Sequence, residues 1–231
     1  MIIIYRVLLT SYFLYMVLSY LLTCHDYEKE LSYKHNANYI SYVVIYNLIL
    51  LFNFIYLEVF IMSKFTKQPV NTLTLNPFQT IGKDWFLITA KKEDKINTMT
   101  ASWGGFGILF GKPVAYIFIR PQRYTKEFID ANSHFSLSVL PETYRKQLNY
   151  LGTVSGRNED KIANSTLHIQ TEDDIPYFEE SKFVFLCKKL FAQTMDKNSF
   201  LAPNIIDKWY ANQDFHTVYI AEIESVLQKN N

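Results

Sequence analysis

From Asp84 to Gly107 the sequence spells a strand, a charged tip, a second strand and then a stretch almost without side chains. Asp84-Trp-Phe-Leu-Ile-Thr-Ala-Lys91 is strand-like, and Lys92-Glu-Asp-Lys95 has the length and charge of a hairpin tip. Ile96–Ser102 returns as the partner. Strands joined this closely pair antiparallel, because a parallel pair needs a long crossover. The second strand is unusual in composition. Thr98, Thr100 and Ser102 alternate with Met99 and Ala101, and Trp103 is followed by Gly104, Gly105 and Gly107. A purely structural strand would carry Val and Ile here. Small hydroxyl residues followed by glycines instead let a backbone approach a flat or phosphorylated ligand closely.

The neighbouring segments extend the antiparallel pattern. Gly104–Gly107 is expected to be a turn, and Val114–Ile119 is a nearly continuous apolar run suited to a buried barrel strand. Thr125 is placed to cap a helix over Lys126–Asn132, with Glu127 in its first turn. His134–Leu140 alternates, with Phe135, Leu137 and Val139 on one face and Ser136 and Ser138 on the other. Glu142–Leu151 reads as a short helix ended by Gly152. Phe183–Leu190 and Thr217–Leu227 are further strands, with a helix over Ile205–Asn212 between them, and Ser63–Leu75 is an extended arm. These elements predict a mainly β fold, an antiparallel barrel with a few peripheral helices. No strand–GxGxxG–helix unit is present, which excludes a Rossmann domain, and neither a G-x-S-x-G elbow nor a P-loop appears.

Composition divides the chain. Residues 1–61 contain no Gly, no Pro and one Ala (Ala37), yet hold ten of the 17 tyrosines. Two apolar windows, Ile2–Thr23 and Tyr39–Ile61, are each long enough to cross a bilayer core. Asn47, Asn53 and Glu58 interrupt the second, and the small residues that pack membrane helices are missing. The segment is expected to be an over-extended start, with a two-helix membrane anchor as the alternative. Residues 62–231 form the expected domain, cytoplasmic unless residues 1–61 anchor it. With 23 basic and 22 acidic residues, the net charge of +1 argues against a nucleic-acid binder. Cys24 and Cys187 are too few for a disulfide framework, and the five histidines show no paired-ligand spacing, so no metal site is expected.

Three polar clusters could carry function. Asn97, Thr98, Met99, Thr100, Ala101 and Ser102 could meet the polar edge of a heterocycle, with Trp103 against its ring or in the core. Arg120, Arg123, Tyr124 and Thr125 sit where a strand runs into a helix, offering two guanidinium groups to an anion. Ser155, Arg157 and Lys161 form a polar loop that taken alone reads as solvated surface. His216 has no acid close by in sequence, and Cys187 lies inside an apolar strand as an inert thiol. No side chain is assigned a catalytic role.

The order Trp85-Phe-Leu-Ile-Thr-Ala90, Asn97-Thr-Met-Thr-Ala-Ser-Trp-Gly-Gly105, Lys112-Pro113, Arg120-Pro-Gln-Arg-Tyr-Thr125, Phe135-Ser-Leu-Ser-Val-Leu140, Leu151-Gly152, Ser155-Gly-Arg157 with Lys161, and His216-Thr-Val-Tyr-Ile-Ala-Glu-Ile223 resembles the flavin reductase-like family, flavoredoxin-type members in particular. The resemblance runs from about Asn76 to Ser225. It implies an FMN-binding split β-barrel acting as a homodimer, with the flavin near the subunit interface. By resemblance, Asn97–Trp103 lines the isoalloxazine, Arg120–Thr125 holds the phosphate, and Ser155, Arg157 and Lys161 belong to the same site. One departure is Ala221, where the family has Gly. The implied activity is an FMN-dependent oxidoreductase fed by NADH or NADPH. The alternatives are a non-catalytic flavin carrier serving a protein partner, and a barrel that has lost flavin.

Overall fold

A computed structural model describes residues 64–230 together with 45, 46, 48–50 and 52. The chain divides into two compact units, Met1–Ser63 and Lys64–Asn231. In the first, the described residues are helical; the expectations for residues 1–61 otherwise fall outside the described residues. No helix among the described residues is long and apolar enough to cross a membrane.

The described residues of the second unit form ten strands and five short α-helices, with three 3-10 turns and one π turn besides. The strands are β1 (Phe65–Gln68), β2 (Phe86–Lys92), β3 (Lys95–Ala101), β4 (Gly104–Leu109), β5 (Lys112–Ile119), β6 (His134–Val139), β7 (Ile169–Glu172), β8 (Ile175–Phe178), β9 (Phe183–Thr194) and β10 (Thr217–Lys229). The helices are α1 (Pro77–Gln79), α2 (Thr125–Ala131), α3 (Arg145–Thr153), α4 (Lys161–Asn164) and α5 (Pro203–Trp209). The main sheet runs β3-β2-β6-β9-β10-β5-β4, with β1 added to β10, and its pairs are antiparallel. Irregularities at Ile220/Ala221 and Ile223/Ser225 let β10 bend. Its first half, Thr217–Glu222, pairs with β5, whereas Val226–Lys229 pairs with β1.

Strand order and sequence order together force a barrel. β3 and β4 are the two ends of the sheet path, yet only Ser102 and Trp103 separate them in the chain. Two linking residues reach roughly 11 Å at full extension. The far edges of the sheet therefore come together, and the barrel is split along the seam that this link crosses. Gly104 is required there, since a Cβ would sit 2.8 Å from the Tyr116 carbonyl oxygen and 3.3 Å from the Phe86 ring. Inside the barrel Phe86, Ile117, Phe135, Leu137 and Tyr219 are fully buried, and Phe106 stacks on Phe185 at 4.8 Å.

Several expectations change. Gly104–Gly107 is not a turn but part of β4, because its missing side chains fit against the Tyr116 ring. The hairpin tip is tighter than four residues, with Lys92 opposite Lys95. The helix after Arg123 starts at Thr125 with Tyr124 in the cap position, and no side chain caps it. The Thr125 hydroxyl instead accepts a hydrogen bond from Asn97 Nδ2 at 2.9 Å. Gly152 does not end α3, which runs to Thr153. Both faces of β6 are buried, since the separate β7–β8 hairpin covers its hydroxyl face. Ser136 Oγ donates to the Pro176 carbonyl at 2.5 Å, and Ser138 Oγ accepts from the Phe178 N–H at 3.3 Å. Ala221 pairs with Ala115, and both are buried in the barrel core, so its methyl is packing and lies on neither cavity described below.

Candidate functional site

Two cavities open beside the seam, sharing Met99, Arg120 and Arg123 on their walls. The first, about 170 Å³, runs along Met99–Trp103 and is closed by Phe118, Trp209 and His216. As an end strand of the sheet, β3 pairs only with β2. Its other edge therefore offers unpaired backbone N–H and C=O groups to whatever occupies the seam. Trp103 is 38% exposed and meets Trp209 edge-on, with ring centroids 5.0 Å apart. It is a wall of this cavity and not core filling.

His216 lies 5.1 Å from the Trp103 ring, and its Nδ1 is 2.8 Å from the Tyr210 hydroxyl. Burial, reinforced by the nearby Arg120 charge, lowers its pKa to about 4. The cavity thus carries a neutral imidazole at pH 7.

The second cavity, about 380 Å³, lies between the β5–α2 junction and the loop after α3. Arg123, Tyr124, Thr125, Ser155 and Lys161 all line it. Arg123 is half-buried and donates to the Gly152 carbonyl at 2.6 Å, which leaves most of its five N–H donors for other partners. Lys161 is buried, and its Nζ donates to the Leu151 and Val154 carbonyls at 2.8 and 2.9 Å. Burial and then the Arg123 charge lower its pKa to about 8. Burial also lowers the pKa of Arg123, and Arg120 adds to the effect. Among the described residues neither Arg123 nor Lys161 has a carboxylate partner.

The structure therefore brings Met99, Thr100, Ala101, Ser102 and Trp103 to one cavity and Arg123, Tyr124, Thr125, Ser155 and Lys161 to the other. Four expected residues are placed differently. Thr98 is fully buried, its hydroxyl is held by Thr89 and the Ile88 carbonyl, and it lines neither cavity. Asn97 is buried beneath the loop and supports Thr125. Arg157 stands outside the second cavity, 4.7 Å over the Tyr124 ring and paired with Glu127. Arg120 faces both cavities, but its guanidinium is committed to Asp214 and the Trp209 carbonyl. Sequence reasoning missed Phe118 and Trp209, which a pattern of apolar spacing cannot tell from core residues.

The family model of the flavin reductase like domain matches residues 78–231. A high molecular weight rubredoxin from Moorella thermoacetica is 34% identical over 112 residues, 48% of this chain and 48% of that protein. The match thus spans about half of that relative. Among solved structures, an FMN-binding domain of a flavin reductases-like enzyme from Shewanella baltica superposes with a TM-score of 0.53 at 16% identity, over 71% of this chain and 77% of that one. Flavoredoxin from Methanosarcina acetivorans gives 0.51 at 19% identity, over 71% and 75%. These neighbours share the split-barrel fold.

Proposed function

The chain belongs to the flavin reductase-like domain family, and on that premise we propose that it binds FMN across the two joined cavities and works as an oxidoreductase with NADH or NADPH as electron donor. The observation that carries this reading is the pair Arg123 and Lys161. Two like charges held together away from water, with no carboxylate among the described residues to balance them, suit a site that receives an anion. The phosphate of FMN meets that need, with the Ser155 and Thr125 hydroxyls beside it.

Bound FMN supplies the redox chemistry, so no nucleophile or acid–base pair is required of the protein. The chain's own residues bind and orient. The open edge of β3 over Met99–Ser102 offers donors to the polar side of the ring, where fixed N–H dipoles stabilise negative charge. Trp103 and Trp209 shield that space from water, and a neutral His216 adds no cation to it. We assign the activity to residues 62–231 acting in the cytoplasm as a homodimer; exposed Ile108 and Phe110 at the β4–β5 tip supply apolar surface for self-association.

The test is an absorbance spectrum of purified protein followed by titration with FMN and riboflavin. Arg123→Ala is expected to weaken FMN by about tenfold or more and leave riboflavin unchanged, since charge-assisted bonds to phosphate contribute about 1.5–3 kcal/mol. Full flavin retention by the variant sinks the phosphate assignment. The similarity to a high molecular weight rubredoxin favours one alternative, a flavin carrier exchanging electrons with a protein partner. Rapid anaerobic bleaching by NADH or NADPH supports the enzyme. Bleaching only by a reduced iron–sulfur protein supports the carrier.

A further inference from the structure

Arg120 directly follows β5, and its side-chain contacts lie elsewhere in the chain. Its guanidinium ion-pairs with Asp214, donates to the Trp209 carbonyl at 2.8 Å, and stands 5.2 Å from the Tyr210 ring centroid. Gln122 Nε2 donates to the same Asp214 oxygen at 2.7 Å. Each of these partners belongs to the stretch between the end of α5 and the start of β10. That stretch has little regular structure of its own. It leaves a seven-residue helix and passes through Gln213 at φ +55°. What it carries matters to the first cavity, because Trp209 closes that cavity edge-on to Trp103 and His216 stands behind them. The ion pair is largely shielded, with the Arg120 and Asp214 side chains 23% and 17% exposed.

We propose that Arg120 is a positioning residue: with Asp214 it latches the Trp209–Asp214 stretch to the end of β5 and so fixes the tryptophan wall of the ring cavity. The anion in the neighbouring cavity is left to Arg123 and Lys161. This rests on the reading of the first cavity as the place of the flavin ring.

Comparison of FMN with riboflavin, which lacks the phosphate, separates a latch from a phosphate ligand. Arg120→Gln and Asp214→Asn are each expected to weaken both flavins by the same factor, about tenfold for loss of a shielded charge-assisted contact. Combining them should add little, since both remove one interaction, and Arg120→Lys should recover part of the loss. A loss in Arg120→Gln confined to FMN, or an Asp214→Asn variant that binds both flavins normally, overturns the proposal.

A second readout needs no flavin. Acrylamide quenching of tryptophan fluorescence in the flavin-free protein should rise in Asp214→Asn, and the rise should vanish when Trp209→Phe is added. An unchanged quenching constant in Asp214→Asn overturns the latch even if flavin binding itself proves absent. Failure of the wild-type chain to take up either flavin counts against the proposed function alone.

Discussion

Replacing Lys161 with methionine asks what it costs this fold to hold a charge beside Arg123. Lys161 is 4% exposed, and its pKa falls from the ordinary 10.5 to about 8, chiefly through burial and then through Arg123. The sign follows from proton counting. Between pH 8 and 10.5 the unfolded chain holds the lysine proton and the native chain releases it, so stability rises with pH across that window. Below pH 8 the penalty is present in full. At 1.36 kcal/mol per unit the shift amounts to about 3 kcal/mol. Methionine removes the charge but strips the Leu151 and Val154 carbonyls of their donor, at about 1 kcal/mol each. That second effect does not depend on pH. Denaturant unfolding of both proteins from pH 7 to 10 should therefore give a stability difference that moves in favour of the wild type by about 2–3 kcal/mol as pH rises. A difference that stays flat over the same range refutes the argument that Lys161 is held charged against a desolvation cost.

Other outcomes follow from the same geometry. FMN binding near pH 8.5 should take up part of a proton, since a phosphate restores the charged form of Lys161; calorimetry in buffers of different ionisation enthalpy reads this, and riboflavin or Lys161→Met should show none. Gly156→Ala would put a Cβ 2.3 Å from the buried Asn97 Oδ1, so it should cost about 1–3 kcal/mol in unfolding and loosen FMN. Adding Asn97→Ala to it should cost less than the two changes summed. His216, lowered from 6.5 to about 4, makes the native chain release its proton before the unfolded one does. Stability should fall as pH drops from 6.5 to 4, and His216→Asn should remove that slope in denaturant midpoints.

Local pattern was enough to read the hairpin of β2 and β3 and the long last strand. The hairpin joins sequence neighbours that are neighbours in space, and alternation along a strand is local, so turn residues and period carry the information. The same logic failed for β4, whose glycines look like a turn until Tyr116 is seen lying against them. Nor does alternation show what covers the hydroxyl face of β6, since the partners of Ser136 and Ser138 in β8 lie 40 residues away.

The sequence by itself determined that an antiparallel sheet forms, that a strand with small side chains lies next to glycines, and that two arginines stand where a strand runs into a helix. Tertiary structure decided how those pieces are used. The sheet curls into a barrel because the chain joins the two ends of its path with only Ser102 and Trp103, and the barrel stays split because β3 and β4 do not pair. Arg120 and Arg123, alike in sequence, part company because Asp214 and the Trp209 carbonyl reach the first and no described carboxylate reaches the second. Lys161 becomes a buried cation only when the carbonyls of Leu151 and Val154 close around it. Propensity and alternation act over a few residues, whereas burial and charge pairing are set by groups that folding brings from far along the chain.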